Sequence, residues 1–247
     1  MLPCQLGDRT RIVVFGEQVD DKMTKEEIEN HFHQSCLLRD SFWETVGVAD
    51  PDVIGHLINP AFMGGPRWPS LRQAFITVRR PGTTIIASDG LSDPFDDPDS
   101  SKDADSFNGF GLEFYVESPD NIVDVQGSWQ FDMVYQISQN AAAAGNLQSL
   151  LKAHAYLTME LYDVRVPETF KAEEGRTGIF IGLTSNDVPD QVTLSLETVD
   201  IVNVKLLTLA ELEYVAETGK EGRANLAQLF RKQGEPTYSD LKRKSVV

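Results

Sequence analysis

Residues 73–88 read Gln-Ala-Phe-Ile-Thr-Val-Arg-Arg-Pro-Gly-Thr-Thr-Ile-Ile-Ala-Ser. Phe75, Ile76 and Val78 lie on one side of Pro81-Gly82, and Thr83, Thr84, Ile85 and Ile86 on the other. β-branched and aromatic residues flanking a Pro-Gly turn predict a hairpin, with strands over 73–79 and 83–88. Working forward, Leu112, Phe114 and Val116 alternate with Glu113, Tyr115 and Glu117, so Gly111 to Glu117 reads as a third strand. Residues 178–184, 191–196 and 199–207 read as further strands.

Helical signals stand on both sides of this strand-rich middle. Thr24 and Glu27 have the spacing of a capping box. Behind them Ile28, Phe32, Cys36, Phe42, Trp43 and Val46 recur at rough helical spacing, with a break expected near Asp40. Residues 53–58 read as a short helix, and 60–70, with two glycines and three prolines, as a loop. Ser128 is placed to cap a helix to about Gln139, interrupted over Ala141 to Gly145, and a second amphipathic segment carries Leu147, Leu150 and Leu151. Thr208 and Glu211 form a second capping box, opening a helix to Gly219 and another over 223–232. Residues 11–15 read as a short N-terminal strand. Strands and helices mix without strict alternation, which predicts an α+β fold: a mixed sheet flanked by helices, α/β/α sandwich-like. A chain of 247 residues with 41% hydrophobic and 24% charged residues can bury one sizeable core, so we expect one domain over 1–247.

The 38 acidic against 22 basic side chains give a net charge of −16. Such a field repels nucleic-acid phosphates and anionic lipid, so neither is an expected partner. It suits a cationic protein, or simply keeps the chain in solution. Cys4 and Cys36 make no disulfide framework, the first residues lack the basic and apolar regions of a signal peptide, and no apolar run approaches a membrane span. The expected location is the cytoplasm.

The carboxylates concentrate over residues 89–109, where Asp89, Asp93, Asp96, Asp97 and Asp99 precede Asp103 and Asp105. This reads as a long acidic loop, and the first five are the candidate partner-contacting residues. The loop fails the EF-hand pattern, since Phe107 and Phe114 stand where ligands are needed. His31 and His33, two apart on a helix, point apart and cannot share an ion. Ser-x-x-Lys occurs at Ser149 and at Ser239 without its companion motifs, Cys36 reads as a core residue, and no phosphate-binding glycine pattern survives its context. Neither cofactor nor metal nor catalytic centre is expected.

Four stretches taken in order resemble the suppressor-of-fused family. They are Ile85-Ile-Ala-Ser-Asp-Gly-Leu-Ser-Asp-Pro94, Asn108-Gly-Phe-Gly-Leu-Glu-Phe114, Leu207-Thr-Leu-Ala-Glu-Leu-Glu-Tyr-Val-Ala216 with Gly222 and Leu226, and Asp240-Leu-Lys-Arg-Lys-Ser245. The resemblance covers about residues 40–247 and leaves 1–40 as an N-terminal strand and helix extension. It implies a bacterial-type member with a compact sandwich, no catalytic centre and a protein partner. In the animal member a peptide lies as an added strand between this domain and a second one, so that two-domain clamp is not expected here. Bacterial relatives of similar length are proposed immunity proteins, which implies neutralisation of a cationic polymorphic toxin. The alternatives are a regulatory or scaffold adaptor that captures a peptide by strand addition, and an unrecognised hydrolase in which His154 or His56 meets a Ser or Cys.

Overall fold

The computed structural model describes residues 23–56, 58–96, 108–234 and 237–247. The strand expected over 11–15 lies outside them. Helix α1 (Lys25–Val46) starts on the expected capping box: the Glu27 N–H donates to Thr24 Oγ1 at 3.3 Å, and the Thr24 N–H to Glu27 Oε2 at 2.7 Å. It runs without the break expected near Asp40. Asp40 faces solvent, where it costs the helix little, while Arg39, Phe42 and Trp43 keep the buried stripe continuous.

Short strands β1 (Val48–Ala49) and β2 (Ile54–Gly55) both pair with β3 (Ala74–Arg80). The helix expected over 53–58 is thus corrected. A short uncapped segment gains more from the hydrogen-bonding edge of β3 than from one isolated helical turn. β3 and β4 (Thr83–Asp89) form the expected antiparallel hairpin, and β4 pairs with β5 (Leu112–Ser118). Helix α2 (Trp129–Ala144) is capped by Ser128, passes through the alanines instead of stopping at them, and ends at Gly145 with φ of 71°. Alanine is the best helix former, so that run extends the helix, and Gly145 supplies the left-handed cap.

Helix α3 (Leu147–His154) and strand β6 (Leu157–Leu161) follow, then β7 (Thr177–Leu183), β8 (Gln191–Thr193) and β9 (Thr198–Leu206). Helix α4 (Leu209–Lys232) opens on the Thr208–Glu211 box and is broken at Gly219, where φ is 61°, as the sequence expects. The described strands form one sheet in the order β1-β3-β4-β5-β9-β7-β6, with β2 on β3 and β8 on β9. Every named pair is antiparallel except β5 with β9.

Helices cover both faces. Phe75, Ile86, Phe114, Val116, Val202 and Val204 pack with Met133, Val134 and Ile137 of α2. Their alternates Ile76, Ile85, Tyr115 and Ile201 pack on Phe42 and Trp43 of α1. Phe180 packs on α4 through Leu212, Val215 and Phe230. Since Ile179 and Ile181 belong to the α2 side, α4 shares the opposite face with α1. The result is the α+β sandwich read from the sequence.

Candidate protein-binding surface

The root of the acidic segment is not a loop surface. Asp89 ends β4, and it and Asp93 are buried around Arg39, a guanidinium that α1 projects onto the sheet. Arg39 donates from Nε to Asp89 Oδ1 at 2.8 Å, from Nη2 to Asp93 Oδ1 at 2.5 Å, and from Nη1 to Ser92 Oγ at 3.2 Å. Arg72 donates to the second oxygen of Asp89 and, at 3.0 Å, to its carbonyl. Ser70 Oγ–H donates to Asp93 Oδ2 at 2.8 Å. Beneath them Glu113 of β5 accepts from the Gly90 N–H at 3.0 Å, the Ser92 N–H at 2.9 Å, and the hydroxyls of Ser92 and Ser88 at 2.6 and 2.5 Å.

Burial opposes charge on all three acids. For Asp89 it is outweighed by Arg39 and Arg72, which hold the carboxyl below its usual value. For Asp93 and Glu113 burial prevails and pushes the carboxyl up. Asn108 closes the far end of the segment. Its Nδ2 donates to Ser35 Oγ and to the Ser92 carbonyl, both at 3.1 Å, and its Oδ1 accepts the Leu196 and Glu197 N–H groups. Gly109 follows at φ of 60°, where an added Cβ would stand 2.3 Å from the Leu91 carbonyl oxygen.

Asp89 and Asp93 are therefore corrected as contact residues: fully buried carboxylates spent on arginines cannot reach a partner. Of the five, Asp96 alone stands at the surface among the described residues, 2.7 Å from Arg67 Nη2, with its side chain 36% exposed. Asp97 and Asp99 lie outside the described residues. Asp96 sits on the rim of a groove of about 480 Å³ between the start of α1 and the 70–72 segment, lined by Ile28, Phe32, Leu71 and Pro94 and bordered by charges of both signs, Glu29 with Lys25 and Arg72. Nearby Asn59 donates to the Leu71 carbonyl and holds the exposed turn carrying Phe62 and Met63. The groove was missed in sequence because its walls come from segments some forty residues apart.

A second polar assembly seals the sheet's other end. The parallel pairing of β5 with β9 stops at Tyr115–Asn203. The chain's final arm enters there: Tyr238 bridges Glu117 in parallel, the Ser239 N–H donates to the Glu117 carbonyl at 2.8 Å, and the Leu206 N–H donates to Ser239 Oγ at 2.9 Å. Arg243 then clamps Glu211, donating from Nη1 to Oε1 at 2.5 Å, and reaches the Leu206 carbonyl at 2.7 Å. Ser239, one of the two Ser-x-x-Lys serines, is thus a buried structural acceptor.

Burial pushes the Cys36 thiol up to about 11, the opposite of an activated nucleophile. His56 lies edge-on to Phe75 and Tyr135, His154 ends α3 in solvent, and no hydrogen bond joins either to a serine or cysteine among the described residues. Among those residues no group of three or more His, Cys, Asp and Glu is placed to hold a metal, and no helix is long and apolar enough to cross a membrane.

A mixed sheet flanked by helices on both faces places the chain in an α+β sandwich class that has solved members. The chain is similar to the crystal structure of Drosophila Suppressor of Fused, with TM-score 0.53 and 13% identity, over 80% of this chain and 47% of that one. The fold is therefore that of Suppressor of Fused, and the chain spans about half the length of that structure. A Sufu–Fu complex structure aligns at TM-score 0.49 and 14% identity, over 90% of this chain and 91% of that chain. No family model and no curated protein matches the sequence.

Proposed function

We propose that this chain acts as one domain whose work is binding a basic protein rather than catalysis, in the cytoplasm, as an immunity-type protein that neutralises a cationic toxin. The observation carrying this reading is the groove beside Asp96: apolar Ile28, Phe32 and Leu71 open to solvent, with Glu29 and Asp96 set among Lys25 and Arg72 on its border, on a chain of net charge −16. Apolar contact supplies affinity, and the acidic field speeds encounter with a cationic partner. The Suppressor of Fused fold adds support for a binding role.

The test is capture from the native host's lysate at low and high salt, with Phe32→Asp and Leu71→Asp variants in parallel and captured proteins identified by mass spectrometry. One basic toxin-like partner, lost at high salt and lost in both variants, is the expected result. A salt-resistant partner held equally by the variants, or none, refutes it.

A further inference from the structure

Asn59, Pro60 and two glycines hold large apolar side chains out in solvent. Residues 60–63 form a single 3-10 turn. Asn59 Oδ1 accepts the Ala61 N–H at 2.9 Å at its start. Gly64 leaves it at φ of 84°, and the Gly65 N–H donates to the Pro60 carbonyl at 2.9 Å. The turn is strapped to the body on both sides: Asn59 donates to the Leu71 carbonyl, and Gln73 Nε2 to the Pro66 carbonyl at 3.1 Å. Yet Phe62 and Met63 are 70 and 76% exposed, and Ile58 beside them 64%. Single exposed apolar residues are ordinary, but three large ones on one braced projection mark a contact surface. Bracing the turn in advance removes an ordering cost from binding.

The groove lies beside this turn, since Leu71 both lines the groove and anchors Asn59. The turn does not fill the groove of its own chain, because Phe62 and Met63 stand in water. At about 480 Å³ the groove falls in the size range that encloses a small molecule, so it accepts an aromatic side chain. Its border suits a second copy. Lys25, Arg67 and Arg72 stand there with Glu29 and Asp96, so the patch is near neutral and the chain's excess negative charge lies elsewhere. A two-fold axis can set the cations of one border against the anions of the other. The area also suffices. At about 200 Å² for a large side chain, Ile58, Phe62 and Met63 leave about 400 Å² of apolar surface in water on each chain. Two copies cover about 800 Å² in this way and about as much again on the receiving surfaces, which matches a standard interface of about 1,600 Å². We propose that two copies of this chain close on each other about a two-fold axis, each seating Phe62 and Met63 in the other's groove. This rests on the reading that the groove is the working site, and gives it a self-occupied state that a partner must displace.

Analytical ultracentrifugation of the full chain over a concentration series is the test. A monomer–dimer equilibrium is expected. Each copy carries −16, so the dimer should tighten severalfold from low to high salt, opposite to the capture of a cationic partner. Phe62→Asp and Phe32→Lys should each weaken the dimer about tenfold or more, with circular dichroism unchanged. Where Phe32→Lys disturbs the spectrum, Leu71→Lys, at a half-exposed position, takes its place. An equimolar mixture of the Asp and Lys variants should dimerise again, because the mixed pair keeps one native contact and sets the two introduced charges against each other in the second. A chain that stays monomeric, a dimer indifferent to either substitution, a mixture that fails to recover, or growth beyond two copies overturns the proposal. A lysate partner captured by a chain that stays monomeric overturns the dimer and leaves the partner reading standing; a dimer that behaves as expected without any lysate partner does the reverse.

Discussion

Replacing Arg39 by Met tests whether the buried arginine organises the base of the acidic segment. The substitution keeps the unbranched, apolar stem and removes the guanidinium from a site where it is 1% exposed. Two charge-assisted hydrogen bonds disappear, at 2.8 Å to Asp89 and 2.5 Å to Asp93, together with a weaker one to Ser92 at 3.2 Å. At about 1.5–3 kcal/mol for each charged bond, the loss is about 3–6 kcal/mol, overlapping the cost of orphaning a buried ion-pair partner. Arg72, still bonded to Asp89, limits the damage. The sign with pH follows. Without Arg39 the folded-state value of Asp93, already raised by burial, climbs further, and that of Asp89 rises as it loses the larger of the two charges holding it down. The resulting penalty is complete above the raised folded value and fades as pH falls through it toward the unfolded value. Urea unfolding followed through buried Trp43 and Trp68 measures both quantities. A deficit at neutral pH below about 1 kcal/mol, or one that grows on acidification, refutes the reasoning.

Gly109→Ala should cost several kcal/mol or prevent folding, because the new Cβ meets backbone oxygens of Leu91 and Asp93 at 2.3 and 2.7 Å with φ at 60°; thermal unfolding checks this against Gly64→Ala, which also has positive φ but open space. Arg243→Ala leaves Glu211 buried with its charge unpaired and should lower stability by about 3 kcal/mol, with faster hydrogen exchange over 237–247 as the local readout. Glu117 is fully buried with Oε2 unpartnered, and burial pushes its carboxyl up against the pull of Thr83 and Arg80. Protonation is thus favoured by folding, so its contribution falls as pH rises from the unfolded to the raised folded value, and Glu117→Gln should flatten the urea midpoint across that window.

The hairpin at Pro81-Gly82, both capping boxes and the helix stop at Gly219 were legible because each is a local signal whose chemistry is complete within a few residues. Strand β6 went unread although Leu157, Met159 and Leu161 alternate with Thr158 and Glu160, a period too short to stand out without a turn signal beside it. Strand β5 was legible as a strand, but its alternation says nothing of burial: Glu113 and Glu117 occupy the polar positions, yet all seven residues are buried. A charge pattern alone cannot separate a carboxylate facing water from one facing an arginine.

The same ambiguity misplaced Asp89 and Asp93. Along the chain they open an acidic run and read with it as one surface. In space the run divides at Pro94: the carboxylates before it answer to Arg39 and Arg72, and Asp96 after it faces solvent beside Arg67. The arginines that decide this lie 50 and 17 residues from Asp89, on α1 and on the approach to β3, beyond the reach of any spacing rule. The one foreshadowing was Arg39 itself, a cation on the apolar stripe between Cys36 and Phe42. A charge at a core position of a helix demands a counter-charge across the interface. The nearest supply of carboxylates in this sequence was the Asp-rich segment, so the position of Arg39 in the stripe already contained the argument against an all-surface acidic loop.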